Sequence, residues 1–367
     1  YTLEVRLLYR LPRSLLPDRQ GRSRATVACP ITLRASLYPG VRRVDFAVRV
    51  VNRARDHRLR VLLPLLPDGA VVYAGSAFGA LERPLTPLVG GEEWVEPPTA
   101  AAPMRGFVAV GGGSRGLMVA GRGLTEYEVL TAPQGPVLAL TLLRCVGWLS
   151  RGDLATRPGN PPEAGGGSGM AGRAIPLRGS PGQGGLGMKG QAGPSILTPG
   201  AQCLGRYDFE YSLIPYSKGW GEAFAAAQAF LNPLRAFAVT GGQGSLPQTK
   251  ALMSLHPESL AVSAVKVAED RRGIVVRLCN PTARSVEGAV VWHEDFAGAE
   301  MVNLAEEPAE GLAAGEGHPT AWEPWPGWAG YEGRSRSPGW VGYQQGERVS
   351  LPLRPGGIGS VLFRAPP

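Results

Sequence analysis

The 367-residue sequence has few cysteines and no long apolar run. Cysteine occurs only at positions 29, 145, 203 and 279, and no spacing matches a Cys-x-x-Cys or Cys/His zinc motif. We therefore expect buried free thiols in a reducing compartment, which favours a cytoplasmic location, and no metal bound by these residues. No apolar run reaches the roughly 20 residues of a membrane-spanning helix, so no membrane partner is expected.

Lysine is equally scarce, so arginine supplies nearly all of the net charge of +8. A basic chain binds nucleic acid when its cations cluster, because clustered cations release counterions from phosphates. Here the arginines are spread along the sequence and alternate with apolar residues in strand-like runs such as 42–50. This distribution predicts no nucleic-acid partner.

Long helical patterns are rare, whereas glycine (52) and proline (34) are abundant. These features predict an all-β protein made of antiparallel strands and turns. The length favours two domains, which we place at 1–245 (a large β-sandwich) and 255–367 (a smaller terminal β-sandwich). An alanine-rich run from about 219 to 231, ended by Asn-Pro, predicts a helix. A glycine-rich stretch at 159–193 predicts a flexible insertion, because it cannot offset the entropy of ordering itself.

Five segments of the sequence carry a family resemblance: 52–61, 143–159 with 198–202, 209–215 with Trp220, 263–269, and 276–281. They resemble, in the same order, the C-terminal half of bacterial glycoside hydrolase family 38 α-mannosidases. Tyr207 departs from the pattern, since histidine is more common there, and the insertion after Asn160 interrupts a motif that is usually compact.

The resemblance implies a galactose mutarotase-like supersandwich followed by a smaller β-sandwich. It also implies a retaining, zinc-dependent α-mannosidase, the mannosylglycerate hydrolase type included, whose zinc and Asp nucleophile belong to an N-terminal catalytic domain. The sequence starts at Tyr1 within a strand-like run, so we expect that domain to be missing here and the isolated segment to be inactive. The expected partners are an α-mannoside and the protein's own catalytic domain, with a homo-oligomer left open. The isolated histidines at 57, 256, 293 and 318 give no zinc-ligand pattern.

The family's β region sends a charged loop toward the substrate cleft, and Arg151, Asp153 and Arg157 match that position best. Arginine donors and an aspartate acceptor suit the vicinal hydroxyls of mannose, and arginine also suits an anionic aglycone. The alternative is that the two arginines pair with Asp153 and only pin the loop. Catalytic residues are not assigned to this segment.

Two further features have open interpretations. His57, between Asp56 and Arg58, is either a general base or, as we favour, an oriented structural residue. A tryptophan-rich loop at 322–343 either stacks on sugar rings or, as we favour, anchors itself by burial. The alternative function is a stand-alone, non-catalytic carbohydrate-binding β-sandwich.

Overall fold

A computed structural model of the chain shows an architecture of antiparallel strands. It describes residues 1–64, 71–85, 98–112, 115–133, 135–150, 196–238, 240–241, 251–257, 259–282, 284–292, 298–308, 347–355 and 357–364. The all-β prediction is confirmed over these residues. No helix among them is long and apolar enough to cross a membrane.

Most of the described strands up to residue 216 lie in two facing sheets. The wider layer has eight strands in the spatial order β1 (Thr2–Pro12), β2 (Thr26–Leu37), β3 (Val44–Asn52), β14 (Gly205–Tyr216), β9 (Arg115–Arg122), β8 (Phe107–Gly112), β5 (Val71–Gly75) and β6 (Ala80–Arg83). The narrower layer has four, in the order β4 (Arg58–Pro64), β11 (Gly135–Arg144), β10 (Glu126–Ala132) and β7 (Ala101–Pro103).

The core of this sandwich follows from the two-residue period of its strands. In β3, Val48 and Val50 are buried while Arg49 between them is exposed, because successive side chains point to opposite faces. In β8 the pattern changes, and residues 107–110 are all buried. Val108 packs in the core between the sheets, and Phe107 packs on the other face, which the helix covers.

The helix, α1, spans Gly221–Leu231, close to the predicted range. Its start is fixed by Glu222, whose carboxylate accepts the backbone N–H groups of Ser217 (2.8 Å) and Lys218 (2.9 Å). Its end is held by Arg122, whose Nε donates to the carbonyl of Phe230 at 2.9 Å. The guanidinium of Arg122 also lies 4.4 Å from the centre of the Phe230 ring.

A second set of sheets begins at residue 253. The two layers enclose a core that includes Val276, Val290, Leu351 and Phe363. Much of the proposed boundary between 245 and 255 lies outside the described residues, so the domain limits stay a prediction. The glycine-rich stretch 159–193 and the loop 322–343 also lie outside the described residues. The strands are β15 (Met253–His256), β18 (Val286–Trp292) and β20 (Glu347–Leu353) in one layer, and β16 (Ala261–Val267), β17 (Gly273–Cys279), β21 (Ile358–Arg364) and β19 (Gly298–Val302) in the other.

Candidate functional site

Three connections of the large sandwich meet beside the start of β4, and we call this region the loop end. It comprises residues 13–25, 53–57, 145–150 and 196–204. Backbone hydrogen bonds join these segments: Arg55 N–H to the Arg13 carbonyl (2.8 Å), Cys145 N–H to the His57 carbonyl (2.8 Å) and Val146 N–H to the Ala201 carbonyl (3.1 Å).

Asn52, the last residue of β3, is the buried centre of the loop end. Its Nδ2 donates to the carbonyl of Cys203 at 2.7 Å and to that of Gln202 at 3.3 Å, and it lies 3.4 Å from the Sγ of Cys145. Its Oδ1 accepts the N–H of Ala54 at 3.1 Å. One amide group therefore connects three segments that are far apart in sequence, and its burial is tolerated because both of its polar ends are bonded.

Asp56 and Gln202 form a reciprocal pair next to Asn52. The N–H of Asp56 donates to Oε1 of Gln202 at 2.8 Å, and Nε2 of Gln202 donates to Oδ1 of Asp56 at 2.6 Å. Asp56 has a φ of 55°, a left-handed conformation that Asp tolerates better than most residues. A Cβ on Gly147 would lie 3.1 Å from Nε2 of Gln202, so the neighbouring chain approaches this pair closely.

Arg22 ties the β1–β2 connection to the same region. Its Nη1 donates to the carbonyl of Asp56 at 2.5 Å, and its Nη2 donates to the carbonyl of Arg55 at 3.0 Å. The guanidinium thus provides hydrogen-bond donors for two carbonyls that lie outside the sheets. We interpret Arg22 as structural.

His57 lies against the thiol of Cys145, with 3.8 Å between Nε2 and Sγ. Burial lowers the pKa of His57 and raises the pKa of the Cys145 thiol to about 12, so both groups are uncharged at neutral pH. A thiol this hard to ionise is a poor nucleophile. The geometry supports the structural interpretation of His57.

The charged loop proposed from the sequence emerges from this region. β12 (Trp148–Ser150) pairs with β13 (Ile196–Leu197), and the N–H of Thr198 donates to the carbonyl of Gly147 at 2.8 Å. The chain therefore leaves at residue 150 and returns at residue 196 through one short ladder. Arg151, Asp153 and Arg157 lie outside the described residues, so their roles stay a prediction.

The sequence motifs pointed to segments 52–61 and 198–202 but not to their contact. Asn52, Asp56 and Gln202 are the residues that this reasoning missed, and together they form what we call the brace. The available signal was the placement of three hydrogen-bonding side chains at a strand end or just before the next strand, where polar side chains commonly bond the backbone of a turn.

Zinc ligands are not brought together by the described part of the chain. No group of three or more His, Cys, Asp or Glu residues there is placed to hold a metal ion. Cys29, Cys145 and Cys279 are buried free thiols, and Cys203 is a half-buried one. The described residues do not fit a catalytic zinc centre, which needs three protein ligands.

Comparisons with known proteins give consistent results. Residues 259–329 match the model of the glycosyl hydrolases family 38 C-terminal beta sandwich domain. A putative mannosylglycerate hydrolase of Halalkalibacterium halodurans is 28% identical over 299 residues, which are 81% of this chain and 28% of that protein. The chain thus spans less than a third of that relative's length.

Two solved structures from Enterococcus faecalis share the fold. One is described as an alpha-mannosidase, with a TM-score of 0.67 and 22% identity over 99% of this chain and 34% of the other. The second is described as a protein in glycosyl hydrolase family 38, with a TM-score of 0.67 and 21% identity over 99% of this chain and 35% of the other. The motifs, the fold and the domain match agree, and the chain is similar to the C-terminal β-domain region of glycoside hydrolase family 38.

Proposed function

We propose that this chain is the β-sandwich region of a retaining, zinc-dependent α-mannosidase, which hydrolyses α-mannosidic bonds, and that the zinc and the catalytic carboxylates lie elsewhere in a longer polypeptide. The names of its relatives support the reaction class. The described residues contain no group placed to hold a metal ion, which supports a zinc site in another part of the polypeptide. The four free thiols are in keeping with a cytoplasmic location.

The contribution of this chain is to position the loop that carries Arg151, Asp153 and Arg157 at the substrate cleft. The observation that carries this proposal is the brace together with the β12–β13 ladder, which fixes both ends of the loop. A rigid base matters because small displacements of a binding group weaken transition-state contacts. Arg151 and Arg157 would donate to sugar hydroxyls or to an acidic aglycone, such as the glycerate in the name of one relative.

The test compares the full-length protein encoded by the source gene with the isolated 367-residue chain. The full-length protein is expected to release 4-nitrophenol from 4-nitrophenyl α-mannoside, and mannose from mannosylglycerate, in a zinc-dependent manner. The isolated chain is expected to release neither. Zinc-dependent hydrolysis by the isolated chain would overturn the proposal, and sugar binding by a chain whose gene encodes no catalytic part would favour a stand-alone binding module.

A further inference from the structure

The wider layer of the large sandwich extends beyond the narrower one. β1 is the edge strand of the eight-stranded layer, and β4 is the edge strand of the four-stranded layer. A cavity of about 320 Å³ opens between them, lined by Tyr9, Leu11 and Cys29 from one layer and by Leu59 and Leu62 from the other. The inner face of β1 is therefore incompletely covered.

The register of β1 shows which of its side chains share that face. Leu7 lies opposite Ile31 and Val5 lies opposite Leu33, and both partners pack in the core between the sheets. Residues directly opposite each other in an antiparallel pair point to the same face. The inner face of β1, which we call the β1 strip, consists of Leu3, Val5, Leu7, Tyr9 and Leu11.

The β1 strip has the composition of a buried strand face but remains open to solvent. Leu3 is 63% exposed and Tyr9 is 50% exposed, and Leu62 across the cavity is 57% exposed. The other face of β1 has the usual surface character, with Glu4 held by Arg6 and Arg34. An apolar sheet face of this extent marks an interaction surface.

The outer edge of β1 adds to this surface. Among the described strands β1 pairs only with β2, over all 11 of its residues. Its other edge presents backbone N–H and C=O groups that a further segment could pair with. A long, apolar, unprotected edge strand is a liability that proteins normally cover.

Arginines border one end of the β1 strip. Arg13, Arg24, Arg53 and Arg55 are exposed at this end, as is Arg10, which points to the face opposite the strip, and none of the five forms an ion pair with a described carboxylate. Arg55 and Arg13 are joined through their backbones at 2.8 Å, and Nη1 of Arg53 reaches the carbonyl of Ala28, opposite Arg10, at 3.5 Å. Arginines dispersed along the sequence are thus gathered by the fold, and they favour a partner surface that is acidic beside its apolar centre.

We infer that the β1 strip and its arginine border bind another part of the same polypeptide. The relatives are long enough to contain such a part, because this chain corresponds to only 28% of one relative and about a third of two others. The inference rests on the proposed function, because it requires a longer protein. The inference extends the proposed function in two ways. It names the surface on which the rest of the longer protein packs, and it states that the covering segment is apolar and acidic.

The test is the reactivity of a cysteine placed in the strip. Leu7→Cys is suitable because an exposed edge position tolerates a smaller side chain and three of the four native cysteines are buried. In the isolated 367-residue chain, Leu7→Cys is expected to react quickly with Ellman's reagent. In the full-length protein it is expected to react at least about tenfold more slowly. Leu234→Cys, at a fully exposed position, is the matched control and is expected to react equally in both.

Equal reactivity of Leu7→Cys in the two proteins would overturn the inference. Protection that grows with the concentration of the isolated chain would also overturn it, because the occupant would then be a second copy. The mannosidase activity of the same full-length samples separates the two proposals. An active protein with a reactive Leu7→Cys contradicts only the inference, and an inactive protein with a protected one contradicts only the proposed function.

Discussion

Asn52, the last residue of β3 in the large sandwich, and Asn280, directly after β17 in the smaller one, are both buried. Each accepts a backbone N–H two residues on, from Ala54 and from Thr282, at 3.1 Å in both cases. Each donates its amide N–H groups to carbonyls of other segments. The local arrangement is the same in both sandwiches.

The two asparagines differ in the location of the carbonyls to which they donate. Nδ2 of Asn280 donates to the carbonyls of Arg284, Leu353 and Arg354 at 2.7, 3.0 and 3.2 Å, which lie at the connections between the two layers of its own sandwich. Nδ2 of Asn52 donates instead to Gln202 and Cys203, in the segment that returns from the charged loop. A motif that is structural in one sandwich is therefore placed, in the other, where it supports a candidate site.

The largest effect is expected for Asn280→Ala. Three carbonyls each lose one donor, and the bond to the Leu353 carbonyl is buried, so the free energy of unfolding should fall by about 3 kcal/mol, measured by urea denaturation. Asn303→Ala is the matched control, because Asn303 also accepts an N–H two residues on, from Ala305, but is exposed. Its effect should stay within about 1 kcal/mol. Similar losses in the two variants would show that burial of the amide is not what matters.

Gln202→Ala sharpens the comparison, because it removes the reciprocal pair with Asp56 and leaves the small sandwich intact. The expected loss of stability is about 1.5 kcal/mol. In the full-length protein kcat should fall several-fold through displacement of the loop base, whereas Asn280→Ala should leave kcat unchanged at temperatures where it is folded. If Asn280→Ala lowers kcat as much as Gln202→Ala does, the two regions do not differ in function.

The smallest effect concerns His57. Its pKa is lowered by burial, so the unfolded chain binds more protons near pH 6 and stability is lost as the pH falls below about 6.5. His57→Gln should therefore reduce the drop in melting temperature between pH 7.5 and pH 5.5. His256→Gln, at an exposed position, serves as the control for the replacement of a histidine. An unaltered pH dependence in His57→Gln would contradict the buried neutral state.

Much of the fold followed from local sequence patterns. The alternation in β3 and the Asn-Pro end of α1 were sufficient because a two-residue period and a helix-terminating proline act locally. Short strands such as β7 and β12 could not be predicted from the sequence, since three residues carry too little pattern. The brace was missed for a different reason: Asn52 and Gln202 are 150 residues apart in sequence, and only the pairing of β3 with β14 brings them together.

The clustering of arginines also depends on contacts between residues that are far apart in the sequence. Along the sequence the arginines alternate with apolar residues, which argued against any cluster. Folding places Arg13 beside Arg55 through the contact of two loops, and so creates a basic border that no window of sequence contains. Long-range pairing, rather than composition, decides where charges converge.

The most direct test is the kinetics of Arg157→Ala in the full-length protein, with Arg173→Ala in the adjacent glycine-rich stretch 159–193 as the control. The account predicts that kcat/KM for 4-nitrophenyl α-mannoside falls about tenfold or more, since a charged hydrogen bond to substrate is lost, while the melting temperature is unchanged. Unchanged kinetics with a lowered melting temperature would contradict it, because Arg157 would then only pin its own loop.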